Sequence, residues 1–240
     1  ASAHSNVVQI HYACYDDEHI YIAMPYYANG SIKRRITGQH MTVREIVAAG
    51  CQVLSGLHNI HSKGLIHFDV KPDNILLSDR GEALLSDFGL AKQMTYGIAH
   101  QDRLYGKMTP PEGLDKDKFD RTFDIYQFGV TLYRMCNGDK SFYDQFAGFV
   151  VGGKLDRDAF RFAVRTGRFP DRTLFAPHIP AKLRKIVRKC TSTESADRYQ
   201  SAIDVANALA DVDGPTLDWR LSEDCDTRVW RKNIEGTSYE

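Results

Sequence analysis

His67-Phe68-Asp69-Val70-Lys71-Pro72-Asp73-Asn74, followed by Asp87-Phe88-Gly89, is the stretch that decides how this chain is read. It carries an aspartate, a lysine two residues later, an asparagine five residues after the aspartate, and a second aspartate eighteen residues on. Phosphoryl transfer uses these residue types. One carboxylate orients the attacking hydroxyl and takes its proton, while an amide and a second carboxylate hold Mg²⁺ on a triphosphate. An ordinary loop between two strands does not require this combination.

Outward from that stretch, Leu65-Ile66 and Ile75-Leu76-Leu77 read as short apolar strands, and Ala83-Leu84-Leu85 leads into Asp87-Phe88-Gly89. Upstream, Thr42-Val43-Arg44-Glu45 resembles a capping box. Val43, Ile46, Val47, Cys51, Val53, Leu54, Leu57 and Ile60 then recur at helical spacing through His61, and Lys63-Gly64 stops the helix. Residues 7–14 and 19–24 are rich in β-branched and aromatic side chains around Tyr15-Asp16-Asp17-Glu18, and predict a hairpin. Pro25–Ser31 is a linker, with Ser31 as N-cap of a short basic helix over Ile32–Ile36. His58, His61 and His67 could be grouped as a metal site, but His67 belongs to the motif and the other two are expected to be exposed at a helix end.

The two central motifs closely resemble the catalytic loop (H-R-D-x-K-x-x-N) and metal-binding turn (D-F-G) of the protein kinase family. The resemblance runs over residues 5–211 and implies an α+β fold: a mainly helical C-terminal lobe with a two-stranded piece of the N-terminal lobe. It implies Asp69 as base, Lys71 neutralising the γ-phosphate of ATP, Asn74 and Asp87 as Mg²⁺ ligands, and Leu76 as the floor of the adenine site. Met24 takes the gatekeeper position, and Pro25 and Tyr27 lie in the hinge whose backbone binds adenine; Pro25 stands where the family usually has an acidic residue. Four structural positions follow from the same resemblance. His67 opens the loop motif, and Asp124 begins the helix Phe123–Val130, where a carboxylate can accept loop N–H groups. Glu112, closing Thr109-Pro110-Pro111-Glu112, would pair with Arg198 of Ala196–Ala202, which looks like the last helices of bacterial eukaryotic-like Ser/Thr kinases.

The chain departs from the family at several places. No Gly-rich phosphate loop, Val-Ala-x-Lys strand or glutamate-bearing helix precedes Val7, and Ala1–Ser5 contain no lysine. Residues 1–30 therefore read as a remnant of the N-terminal lobe and hinge, 31–213 as the C-terminal lobe, and 214–240 as an extra tail with two strands around an acidic turn. A missing N-terminal lobe or upstream segment is an expected partner, and the uncovered strand edge invites pairing with a second copy. Phe68 replaces the loop arginine that receives an activation-segment phosphate, and Tyr105 falls where Ser/Thr kinases keep a threonine. Lys71 favours Ser/Thr over Tyr as acceptor.

Composition is compatible with this. A chain of 240 residues can bury about 70% of its unfolded surface. Lys+Arg and Asp+Glu balance at 31 each, so nucleic acid and anionic membranes lack global charge support. Five scattered cysteines without a C-x-x-C pair argue for reduced thiols in a cytoplasmic protein. No apolar run approaches the length of a membrane span. Residues 181–190 alternate basic and apolar positions, as a solvated face over a buried Leu183-Ile186-Val187-Cys190 stripe. The expected function is a protein Ser/Thr kinase acting with ATP and Mg²⁺. The alternatives are a kinase-fold regulatory module without phosphotransfer, and a small-molecule phosphotransferase, against which Lys71-Pro72-Asp73, Pro-Pro-Glu and Arg198 argue.

Overall fold

Two helices with different burial organise the chain in the computed structural model, which describes residues 3–102, 104, 106–214, 217–223, 227–234 and 237–239. Before them come strands β1 (Tyr12–Tyr15) and β2 (Ile20–Ala23), an antiparallel hairpin with Tyr12 opposite Ala23, and helix α1 (Ile32–Gly38) capped by Ser31. The hairpin is shorter than its sequence suggests. Val7 and Val8 leave it and bridge to Leu85 instead, with Val8 N–H donating to Leu85 O at 2.9 Å.

The first organising helix, α2 (Val43–Ser62), starts at a closed capping box: Glu45 N–H donates to Thr42 Oγ1 (3.2 Å) and Thr42 N–H to Glu45 Oε2 (2.8 Å). Its apolar face, including Ile46, Val53, Leu54, Leu57 and Ile60, enters the main core. Four short strands follow: β3 (Leu65–Ile66), β4 (Ile75–Leu77), β5 (Ala83–Leu85) and β6 (Lys92–Gln93). β4 pairs with β5 and β3 with β6, so the segment 67–74 is held between two strand pairs. The stretch from Asp87 to Glu112 contains β6 and β7 (Ala99–His100); β7 pairs with β8 (Lys118–Phe119). Such two-residue ladders join distant segments and leave no local periodicity to read.

The second organising helix, α3 (Thr122–Asn137), is buried at every position. A helix with no solvated face must be enclosed by others, and α4 (Asp139–Ala147), α6 (Ala181–Cys190) and α2 pack on it. Gly129 marks the closest approach: a Cβ there would lie 2.6 Å from Cys190 Cβ. Between α4 and α6 run the small ladder β9 (Val150–Val151) with β10 (Lys154–Leu155) and helix α5 (Arg157–Arg165). α6 buries Leu183, Ile186, Val187 and Cys190 and leaves most of its basic positions outward, and α7 (Ala202–Ala210) lies against α2.

The tail forms β11 (Arg220–Glu223), β12 (Arg228–Ile234) and β13 (Thr237–Tyr239) in one antiparallel sheet, one strand more than its sequence suggests. It lies on the start of α2. Arg44 forks onto Asp218 (2.6 and 3.0 Å), Arg220 reaches Glu45 (2.7 Å), and Leu221 is buried.

Candidate active site

The loop from His67 to Asn74 is held in shape by α3. Asp124, with no exposed side-chain surface, accepts from His67 N–H (2.8 Å) and from His61 Nε2 (2.8 Å) through Oδ2, and from Phe68 N–H (2.9 Å) through Oδ1. One turn along, Gln127 accepts from Val70 N–H (2.9 Å) and donates to Phe68 O (3.1 Å), while Thr131 donates to Val70 O (3.3 Å). These bonds hold Phe68 at a φ of 65°, a left-handed conformation that a bulky side chain rarely adopts without outside support. His61 is thus not the exposed histidine expected at a helix end: it is buried on the carboxylate that shapes the loop, whereas His58 is exposed.

His67 has a fixed tautomer. Its Nδ1 accepts Asp69 N–H (3.3 Å), so Nε2 carries the proton donated to Ser86 O (3.0 Å). Burial pushes its pKa below the ordinary value and keeps the ring neutral, outweighing the attraction of Asp124. Ser86 returns the connection: its N–H and Oγ both donate to Asn74 O at 2.9 Å. The end of the loop and the residue before Asp87 are therefore tied together.

Inside this frame Asp69 is 4% exposed. Its Oδ2 accepts from Lys71 Nζ (2.7 Å) and Asn74 Nδ2 (2.8 Å). Its Oδ1 is buried and has no hydrogen-bond partner among the described residues. A buried carboxylate oxygen without a donor is an acceptor waiting for one. Asn74 spends its amide nitrogen on Asp69, leaving the amide oxygen to face any cation. Asp87 has a φ of 60° and is exposed, with Oδ1 accepting from Gly89 N–H (3.2 Å), while Phe88 turns inward against His67 with ring centres 4.8 Å apart. Among the described residues no group of three or more His, Cys, Asp or Glu could hold a metal by itself. Mg²⁺ does not need one, because it binds through one or two protein groups together with phosphate oxygens. An amide oxygen at Asn74 and a carboxylate at Asp87 fit that requirement.

The residues expected on the adenine side gather around β4 and the linker before α1. Leu76 on β4 bridges to Ser31, and Leu77 N–H donates to Gly30 O (2.9 Å), which brings the end of the 25–31 linker beside the strand. Met24 is half exposed, Pro25 and Tyr27 are partly buried, and Tyr27 O accepts from Gly30 N–H (3.0 Å).

Phe68 lies in a separate aromatic cluster, edge-on to Phe123 (4.9 Å) and Phe119 (5.8 Å), so the loop is joined to β8 by apolar packing. Glu112 is fastened elsewhere: Arg198, fully buried, donates to both of its carboxylate oxygens at 2.7 Å and to Thr122 O and Ser192 O. Tyr105 lies outside the described residues. Sequence reading did not single out Ser86 or Thr131, and gave Gln127 no role in holding the loop. Gln127 had a usable signal, three residues after Asp124 on the same helix face.

The chain belongs to the protein kinase family: the protein kinase domain model matches residues 1–209. It is 29% identical, over 88% of its length, to a Clostridium acetobutylicum protein named "Probable serine/threonine-protein kinase". It is 29% identical over 78% of its length to the serine/threonine-protein kinase PknL of Mycobacterium tuberculosis, and 34% identical over 58% to the serine/threonine-protein kinase pakA of Talaromyces marneffei. The chain spans 31%, 46% and 22% of those three relatives. Among the described residues no helix is long and apolar enough to cross a membrane.

Proposed function

We propose that the protein transfers the γ-phosphate of ATP to a serine or threonine hydroxyl of a protein substrate, with Asp69 as the base. One observation carries this reading. Asp69 has one carboxylate oxygen fixed by Lys71 and Asn74 and the other buried, without a donor among the described residues. A hydroxyl at Oδ1 would satisfy that oxygen, be oriented by it and hand over its proton as the oxygen becomes nucleophilic. Lys71, 2.7 Å from Oδ2, keeps positive charge beside the base and the incoming phosphoryl oxygens. When bound, Mg²⁺ and the triphosphate supply the electrophilic phosphorus and neutralise its charge. Asn74 and Asp87 are the residues suited to hold the metal. Leu76 and the backbone of Met24, Pro25 and Tyr27 are suited to the adenine.

The same reading divides the chain at about residues 30 and 213, with the hairpin as the nucleotide-side piece. Ile20, Ile22 and Met24 are exposed on it, a surface fitted to pair with a further strand from upstream polypeptide or a second copy. Four free thiols among the described residues suit a reducing, cytoplasmic setting. Asp87→Asn tests the metal assignment. In the protein at its full natural length, it should lower phosphotransfer by several orders of magnitude at fixed Mg²⁺, with partial recovery at high Mg²⁺. Transfer untouched by the substitution would remove Asp87 from the metal site.

A further inference from the structure

The ring of Tyr143 on α4 is surrounded by cations. Lys107 Nζ lies 4.7 Å from its centre, the Arg134 guanidinium 5.4 Å and Lys33 Nζ 5.9 Å; Lys107 also sits 4.2 Å from the centre of Phe146. Two of these cations are neutralised. Lys33 donates to Asp73 at 2.7 Å, and Arg134, 2% exposed, donates to Asp139 at 2.7 Å while standing 3.7 Å from Asp73. Lys107 differs. Its side chain is exposed, and among the described residues no carboxylate lies within 4.0 Å of its ammonium group, which is held by aromatic faces alone. Its pKa is pushed down, first by partial burial and then by the like charges of Arg134 and Lys33. The cluster therefore holds one uncompensated positive charge beside a ring that fixes its position.

The cluster also adjoins the reacting groups. Asp73, which holds Lys33, is flanked in sequence by Pro72 and Asn74, and Asn74 touches Asp69. Lys107 precedes the Thr109–Glu112 closure of the segment that begins at Asp87, and Arg134 grips Met108 next to it (3.8 Å to Sδ). A polypeptide with a hydroxyl at Asp69 Oδ1 advances about 3.3–3.6 Å per extended residue, so side chains a few residues from the acceptor sweep the surface around this loop, which the cluster joins through Asp73.

We infer that Lys107, backed by Lys33 and Arg134 around Tyr143, is a specificity subsite for an anionic side chain of the substrate, a carboxylate or a phosphorylated residue near the acceptor hydroxyl. The inference rests on the reading of Asp69 as the base that receives the acceptor, and deepens it. The two acids that could have attracted a basic substrate, Asp73 and Asp139, are already committed to Lys33 and Arg134.

The test uses serine-centred peptides carrying Glu, phosphoserine, Gln or Arg two to four residues to either side. Binding to the chain is followed by fluorescence anisotropy at low and high salt, and transfer by the full-length protein is followed in parallel. Glu or phosphoserine peptides should bind about tenfold more tightly than Arg peptides at low salt, with the gap closing as salt rises. Lys107→Gln should flatten the preference and Lys107→Glu should reverse it toward Arg. A phosphoserine-only preference identifies phosphate as the ligand, and an equal response to Glu identifies any carboxylate; both support the subsite. Absence of binding by any peptide, equal binding of Glu and Arg peptides, or a preference unmoved by Lys107→Glu would overturn it. Acid-selective binding without phosphotransfer would instead remove the catalytic reading and leave the subsite standing.

Discussion

Asp124→Asn removes the carboxylate that shapes the 67–74 loop while changing almost no volume. The wild-type carboxylate accepts from two backbone N–H groups and from His61 at 2.8–2.9 Å with no exposed surface. An amide has one acceptor oxygen, so its NH₂ must face at least one of these donors. Hydrogen bonds to charged groups contribute about 1.5–3 kcal/mol each, and stranding a buried donor adds to the loss. One such bond lost together with the roughly 1–3 kcal/mol for its stranded donor gives about 3–5 kcal/mol, against a total stability of roughly 5–15 kcal/mol. The strained backbone at Phe68 keeps at most one of the two N–H anchors that Asp124 gives its loop, those of His67 and Phe68. In urea, with an m-value of about 2–3 kcal/mol/M, the midpoint should fall by roughly 1–2 M without a change in slope. Asp144→Asn, which removes only an exposed pair with Lys140, should shift it by less than about 0.3 M. If Asp124→Asn behaves like Asp144→Asn, the three bonds do not stabilise the loop and this account of it is wrong.

Two further outcomes are open to measurement. Gly129→Ala places a methyl group 2.6 Å from Cys190 Cβ and 2.8 Å from Thr191 Cγ2; it should destabilise by about 1–3 kcal/mol despite the better helix propensity of alanine, and an unchanged or raised melting temperature would refute the close approach. His178, 7% exposed, has its pKa lowered to about 4 by burial and then by the like charge of His40, opposed by the accepting backbone carbonyl of Met41. Its neutral Nδ1 accepts from Trp230 (3.3 Å). Because its folded pKa is depressed, the unfolded chain binds this proton more readily, and stability falls as pH drops from about 6.5 toward 4, by roughly 3 kcal/mol. His178→Gln should flatten that part of the stability–pH curve; an identical slope in the variant would contradict the assignment.

What could be read from the residues was local. The capping box at Thr42–Glu45, the Ser31 cap and the stripe of α6 are each encoded within a few positions, and the structure has them where periodicity places them. The short motif 67–74 with 87–89 drew attention to this loop because its spacing is itself the signal. What escaped was non-local. The burial of His61 depends on Asp124, 63 residues away. Phe68 reads as a missing arginine until Phe119 and Phe123 appear beside it. Val7 and Val8 look like hairpin residues, yet Leu85 offers their backbone a partner. His61 had a readable cue: it follows Leu54 and Leu57 at i+7 and i+4, on the buried face of α2.

Phosphoamino-acid analysis after incubation of the full-length protein with γ-labelled ATP and Mg²⁺ tests the central claim most directly. The account predicts label on serine or threonine, abolished by Asp69→Asn while the variant retains the wild-type melting temperature within a few degrees. Label found only as free phosphate, or on serine and threonine regardless of Asp69, would contradict it.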